Sequence, residues 1–138
     1  MKTLVLDTSV AIAWYLPEAF SEAAKEWRRL LLDRKVALLV PSLHYWELGN
    51  VLRTYVVRGE IDAEVASSVF DLHLEAPLEV AEPERPAVLE NAFRYQATVY
   101  DSVFITLSLA RDVQLLTAER TTTPWVVKLG DRVEAVRG

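Results

Sequence analysis

Four carboxylates carry the chemistry that this sequence can offer: Asp7, Glu47, Asp101 and Glu119. Asp7 directly ends the apolar run Leu4-Val5-Leu6, and Glu119 follows the apolar Val113–Leu116 after a Thr-Ala step. Glu47 sits near the start of a helical stripe, and Asp101 opens the apolar segment 99–110. Carboxylates gathered without cations repel one another, and their pKa values rise. Divalent cations relieve that repulsion. Two of them about 4 Å apart can activate a water and stabilise the leaving oxygen in phosphodiester cleavage. The chain has no cysteine and only two histidines, His44 and His73, which excludes thiolate sites and a histidine-rich zinc site. A metal held here takes oxygen ligands, the preference of magnesium and manganese. Ser9, Asn50 and Thr117 place a hydroxyl or amide beside the acids as supporting groups.

Each acid also has a plainer reading. Asp7 can cap a helix beginning at Thr8 or Ser9. Glu47 can be a solvated helix position, although Asn50, one turn on, puts an amide on the same side. Thr98-Val99-Tyr100-Asp101 fits a variant of the capping box, and Ala118-Glu119-Arg120 fits an ordinary helix start. Hydroxyls at strand ends, such as Ser9 and Thr117, commonly cap backbone. His44 and His73 read as packing or surface residues. Trp14, Trp27, Trp46 and Trp125 read as core or interface anchors rather than a base-stacking platform.

The elements that must position these groups follow from hydrophobic period. Leu4–Leu6 and Val36–Val40 are short apolar runs of buried parallel strands. Phe20, Ala23, Ala24, Trp27 and Leu31 recur on one helix face. Pro41-Ser42 opens a helix with the stripe Leu48, Val51, Leu52 and Tyr55, ending near Gly59. Asp62 caps a further helix carrying Val65, Val69 and Leu72. Leu78–Ala81 is a third strand between Pro77 and Pro83, and Val88, Leu89, Ala92 and Phe93 mark the helix after Pro86. The segment 99–110 is apolar nearly all round, so its helix is central. Val113–Leu116 is a fourth strand, Thr121–Pro124 a polar break, and Val133–Val136 an edge strand. Alternating strands and helices predict one α/β domain over residues 1–138 with a mostly parallel sheet. In such sheets sites form at the carboxyl ends of the strands, where all four acids fall.

The formal net charge of −5 argues against a simple basic nucleic-acid binder, though bound cations would offset it. Arg28, Arg29, Arg34, Lys35, Arg53 and Arg58 can attract phosphate locally or simply solvate helix faces. No apolar run is long enough to span a bilayer, and the start of the chain is too short for a signal peptide, so a cytoplasmic protein is expected.

The motifs in order resemble those of PIN-domain proteins. Leu4-Val5-Leu6-Asp7-Thr8-Ser9 is similar to their opening strand and acid. The segment from Pro41 to Leu52 resembles the second motif, with Glu47 followed three residues later by Asn50 and then an apolar pair. Tyr100–Ala110 is similar to the third, an acid heading a buried helix, and Leu115–Glu119 to the fourth. The length resembles the VapC-type toxins of toxin–antitoxin pairs. The resemblance implies an α/β/α sandwich and a magnesium- or manganese-dependent endoribonuclease acting on RNA, usually a homodimer. It also implies a small antitoxin whose tail, often bearing an arginine, fills the acidic groove. Asp7, Glu47, Asp101 and Glu119 would bind metal, supported by Asn50 and Thr117. The family usually has aspartate where this chain has Glu119, a side chain one methylene longer.

Two other classes of function compete. A non-catalytic interaction module would bind a partner without turnover. An aspartyl-phosphate enzyme of the haloacid dehalogenase type needs a second acid two residues after Asp7, where Ser9 stands. The glycines form no phosphate-cradling loop.

Overall fold

A computed structural model describes residues 1–138. The strands are β1 (Lys2–Leu6), β2 (Val36–Val40), β3 (Glu79–Val80), β4 (Gln114–Thr117) and β5 (Val133–Ala135). The helices are α1 (Thr8–Tyr15), α2 (Ser21–Leu32), α3 (Leu43–Val57), α4 (Ala63–Leu74), α5 (Arg85–Tyr95), α6 (Val99–Arg111) and α7 (Pro124–Leu129). The strands lie in the order β3-β2-β1-β4-β5, and every neighbouring pair is parallel. Lys2 pairs with Val36 on one side of β1, and Leu6 with Leu116 on the other.

Alternation along the strands divides the core into two layers, because successive side chains point to opposite faces. Leu4, Leu6, Leu38, Val40 and Leu116 pack with Val10, Ala13, Trp14, Ala24 and Leu31 of α1 and α2. Val5, Leu39 and Leu115 face the other way, onto Phe104, Ile105 and Leu107 of α6 and Trp125 and Leu129 of α7. Helices therefore cover both faces, and the expected α/β/α sandwich is the fold. A third cluster, Leu16, Leu48 and Leu52, joins α1 to α3 and α4.

Two sequence expectations are corrected. The third strand is only Glu79–Val80, both exposed, because it lies at the sheet edge and pairs with β2 alone. The polar break at Thr121–Thr123 is followed by α7, which starts with Pro124 in its first turn and buries Trp125, Val126 and Leu129. A six-residue helix is too short for a periodic pattern to reveal. Of the two readings open for His44 and His73, packing holds, because both are wholly buried. Of the tryptophans, Trp14 and Trp125 are core, whereas Trp46 is 70% exposed.

The α3–α4 turn depends on Gly59, whose φ of +75° lies in the left-handed region. A Cβ there meets nothing, so the cost of substitution is conformational. Gly59→Ala is expected to destabilise the fold by about 1 kcal/mol, read as a lower urea midpoint with an unchanged slope.

Candidate active site

The sheet order places a topological switch between β1 and β4: the chain runs from β1 outward to β3, then crosses back to the other side of β1. A crevice at such a point is where open parallel sheets bind ligands. Asp7 leaves β1 there with its backbone N–H still donating to Leu116 O at 2.9 Å, and Thr117 ends β4 beside it.

Asp7 occupies the N-cap position of α1, but its carboxylate caps nothing. Instead its Oδ2 accepts the hydroxyls of Ser9 at 2.8 Å and Thr117 at 2.7 Å. The same hydroxyl oxygens accept the backbone N–H groups of Ala118 and Glu119. Ser9 and Thr117 thus satisfy the strand end and orient the acid together. Glu47, on α3, accepts the Thr8 hydroxyl on Oε1 at 2.8 Å. Asp101 stands in the first turn of α6, where Thr98 accepts its backbone N–H at 3.0 Å. That is one half of a capping box. The return bond from the Asp101 carboxylate to Thr98 N–H is not made, so the carboxylate is not spent on capping.

Glu119 is turned onto its own loop. Its Oε1 accepts the Thr123 hydroxyl at 3.0 Å and Arg120 N–H at 3.1 Å. From the C-terminal segment, Arg137 donates to the carbonyl oxygens of Ala118 and Glu119, tying this loop down. Asn50 is exposed and makes no hydrogen bond to Glu47. It lines the groove between α3 and α4 instead, with Trp46, Arg53 and Phe70.

Burial dominates the electrostatics. It pushes the Asp7 carboxyl up to about 6, with Asp101 and Glu119 adding repulsion and the two hydroxyls opposing it. Burial pushes Glu47 up to about 7, against the Thr8 hydrogen bond and with repulsion from Asp7 and Asp101. Asp101 is raised by burial and by Glu119, while Thr98 and the Trp125 indole pull it back. The four acids therefore feel one another. No lysine or arginine neutralises them: the ion pairs of the protein are Arg29 with Glu26 and Asp33, and Arg132 with Asp112, all elsewhere.

The donor set suits a hard divalent cation. Asp7, Glu47 and Glu119 are each anchored through one oxygen, which leaves Oδ1 of Asp7 and Oε2 of both glutamates without a protein donor. Without an ion, no three acidic or histidine side chains draw together into a metal-binding cluster. Repulsion between the acids adds to burial in raising Asp7, Glu47 and Asp101. Removal of the Thr117 hydroxyl isolates the hydrogen bond that most opposes burial at Asp7. Thr117→Val is expected to raise the Asp7 pKa further, by roughly one, in a carboxyl-carbon NMR titration of the metal-free protein.

Sequence reasoning passed over Thr8, Trp125, His44 and His73 as site residues. Thr8 was signalled by its place in Asp7-Thr8-Ser9. The histidines carried no signal, since their contact spans 29 positions.

Comparison with known proteins matches the sequence model of the PIN domain family to residues 4–121. The chain is similar to ribonuclease VapC1 from two strains of Mycobacterium tuberculosis, 33% identical over 81 residues. That alignment covers 57% of this chain and spans 60% of the length of the curated relatives. Among solved structures, PAE2754 from Pyrobaculum aerophilum superposes with a TM-score of 0.72 at 22% identity, covering 99% of this chain and 91% of that one. VapBC2 from Rickettsia felis, bound to a DNA fragment from its promoter, gives 0.64 at 14% identity, covering 96% and 98%. At those identities the structures attest the fold.

Proposed function

This chain belongs to the PIN domain family, and on that premise we propose that it is a divalent-metal-dependent endoribonuclease, the toxin of a type II toxin–antitoxin pair. One observation carries the reading: carboxylates from the end of β1, α3, α6 and the loop after β4 face the switch point with no lysine or arginine paired to them, and burial and mutual repulsion raise Asp7, Glu47 and Asp101. Likeness to a VapC ribonuclease supports RNA as substrate, and likeness to a VapBC assembly supports an antitoxin partner.

Asp7, Glu47 and Asp101 would hold magnesium or manganese, with Glu119 reaching the metal directly or through a water. Bound ions would supply charge neutralisation and water activation for phosphodiester hydrolysis. The chain's own part is orientation. Ser9 and Thr117 fix Asp7, Thr8 fixes Glu47, and Thr123 with Arg137 holds the Glu119 loop. Homodimerisation belongs to the same reading. It is supported by the exposed Leu89, Phe93, Val99 and Tyr100 on α5 and α6.

The test is cleavage of RNA substrates with magnesium or manganese, with and without chelator. Products with 5′-phosphate and 3′-hydroxyl ends are expected only when metal is present. Activity that survives both chelation and Asp7→Asn would overturn the assignment. Partner binding without metal-dependent turnover would favour the interaction module instead.

A further inference from the structure

His44 on α3 and His73 on α4 meet wholly inside the protein, Nε2 to Nε2 at 2.7 Å. A hydrogen bond between two neutral imidazoles requires one ring to donate and the other to accept, so the rings hold opposite tautomers. The contacts at either end decide which. Thr8 spends its single hydroxyl proton on Glu47 Oε1 at 2.8 Å. Its 2.9 Å contact with His44 Nδ1 is therefore one in which the imidazole donates. With its proton on Nδ1, His44 offers Nε2 as an acceptor, and His73 donates from Nε2. The bare Nδ1 of His73 then accepts the Tyr15 phenol at 2.6 Å.

The result is a chain with one direction: Tyr15 to His73 to His44 to Thr8 to Glu47. Both rings are neutral, since burial pushes His44 down to about 3 and His73 to about 4. Aromatic rings flank the two buried imidazoles, with ring centroids of Trp14 5.9 Å from His73 and of Tyr45 5.2 Å from His44. Buried histidines need partners, and backbone carbonyls commonly supply them. Here no backbone atom is used. The chain ends on a carboxylate of the candidate active site.

We propose that Tyr15, His73 and His44 are positioning residues that act through Thr8, holding Glu47 by Oε1 and leaving Oε2 as its ligand-binding oxygen. The activity consequences rest on the nuclease reading above; the hydrogen-bond order does not. Loss of the His44 Nδ1 donor frees the Thr8 hydroxyl to reorient, and the Glu47 carboxylate loses its fixed rotamer.

The experiment has two arms, both on the full chain. Imidazole nitrogen-15 NMR of the metal-free protein at pH 8.5, where Glu47 is ionised, is expected to place the proton of His44 on Nδ1 and that of His73 on Nε2. The second arm compares His44→Asn, whose amide nitrogen stands near the position of Nδ1 and still donates to Thr8, with His44→Leu, which does not. His44→Leu is expected to lower kcat about tenfold with KM for RNA unchanged, and His44→Asn to recover most of it. Should His44→Leu fail to fold, His73→Gln against His73→Met poses the same question one ring further out. Reversed tautomers, a charged ring, or equal kcat for the donor-keeping and donor-lacking variants would overturn the proposal. If the wild type cleaves no RNA, the nuclease reading fails alone. The Glu47 carboxyl-carbon signal then decides, shifting in His44→Leu and not in His44→Asn if the chain positions it.

Discussion

Asp7→Asn is expected to lower metal-dependent RNA cleavage by about 10²–10³-fold, the scale on which single preorganised charge-stabilising groups act, while making the metal-free protein more stable. The two effects share one cause. In the folded protein the Asp7 carboxyl titrates near 6, against 3.8 when unperturbed. A carboxyl raised on folding favours the native state at low pH, and that contribution is lost as pH rises through the folded value. Above pH 7 Asp7 is therefore ionised at a cost of up to roughly 3 kcal/mol. Asparagine keeps acceptor capacity for Ser9 and Thr117 but carries no charge to desolvate. Thermal unfolding in chelator at pH 7.5 should show a higher Tm for the variant. Added manganese should raise the Tm of the wild type by ligand linkage and leave the variant nearly unmoved. A variant that is less stable than the wild type in chelator, or that turns over RNA at the wild-type rate, contradicts this account.

Acidification from pH 7 to 5 is expected to destabilise an Asp7→Asn/Glu47→Gln double variant more than the wild type. His44 and His73 titrate near 3 and 4 when folded and 6.5 when unperturbed. A histidine lowered on folding stabilises the native state above pH 6.5, and that stability is lost progressively as pH falls towards the folded value. At pH 5 the loss is roughly 2 kcal/mol per histidine. In the wild type the buried acids run the other way. Asp7 regains about 1 kcal/mol over the same interval, and Glu47, partly solvated, regains less than its raised pKa alone would give. The double variant lacks that offset. Urea unfolding at both pH values measures the difference. Parallel losses in the two proteins would show that the acids are not raised, and a double variant as stable at pH 5 as at pH 7 would show that the histidines are not held neutral.

The offset exists because opposite kinds of titratable group share one buried region, and that arrangement was only half legible in the sequence. The acids were legible. Asp7 directly follows one apolar strand and Glu119 lies just beyond another, so their place at the carboxyl end of the sheet follows from the rule that parallel sheets bind at strand carboxyl ends. Asp101 was legible through the all-round apolarity of α6, which buries Phe104, Ile105 and Leu107. The helix α7 was not, because six residues offer too little period. Asn50 looked like a companion of Glu47 from their three-residue spacing. In the fold the Glu47 carboxylate bonds Thr8 on α1, while Asn50 stays exposed on the groove facing α4.

By itself, the sequence determined the alternation of strands and helices as far as the fourth strand, the mostly parallel sheet, the oxygen-only chemistry of any metal, and which acids lie at strand ends. These depend on side-chain period and burial over a few residues, and a linear string carries them. The tertiary structure alone decided how those acids are held: Asp7 by Thr117, 110 positions away, and Glu47 by Thr8, 39 positions away. It also decided that Glu119 folds back on its loop, and that His44 and His73 join into a directed chain ending on Glu47. Hydrogen-bond pairing between distant residues is set by how helices cross over a sheet, and by which lone pairs burial leaves unmet. No local pattern encodes either.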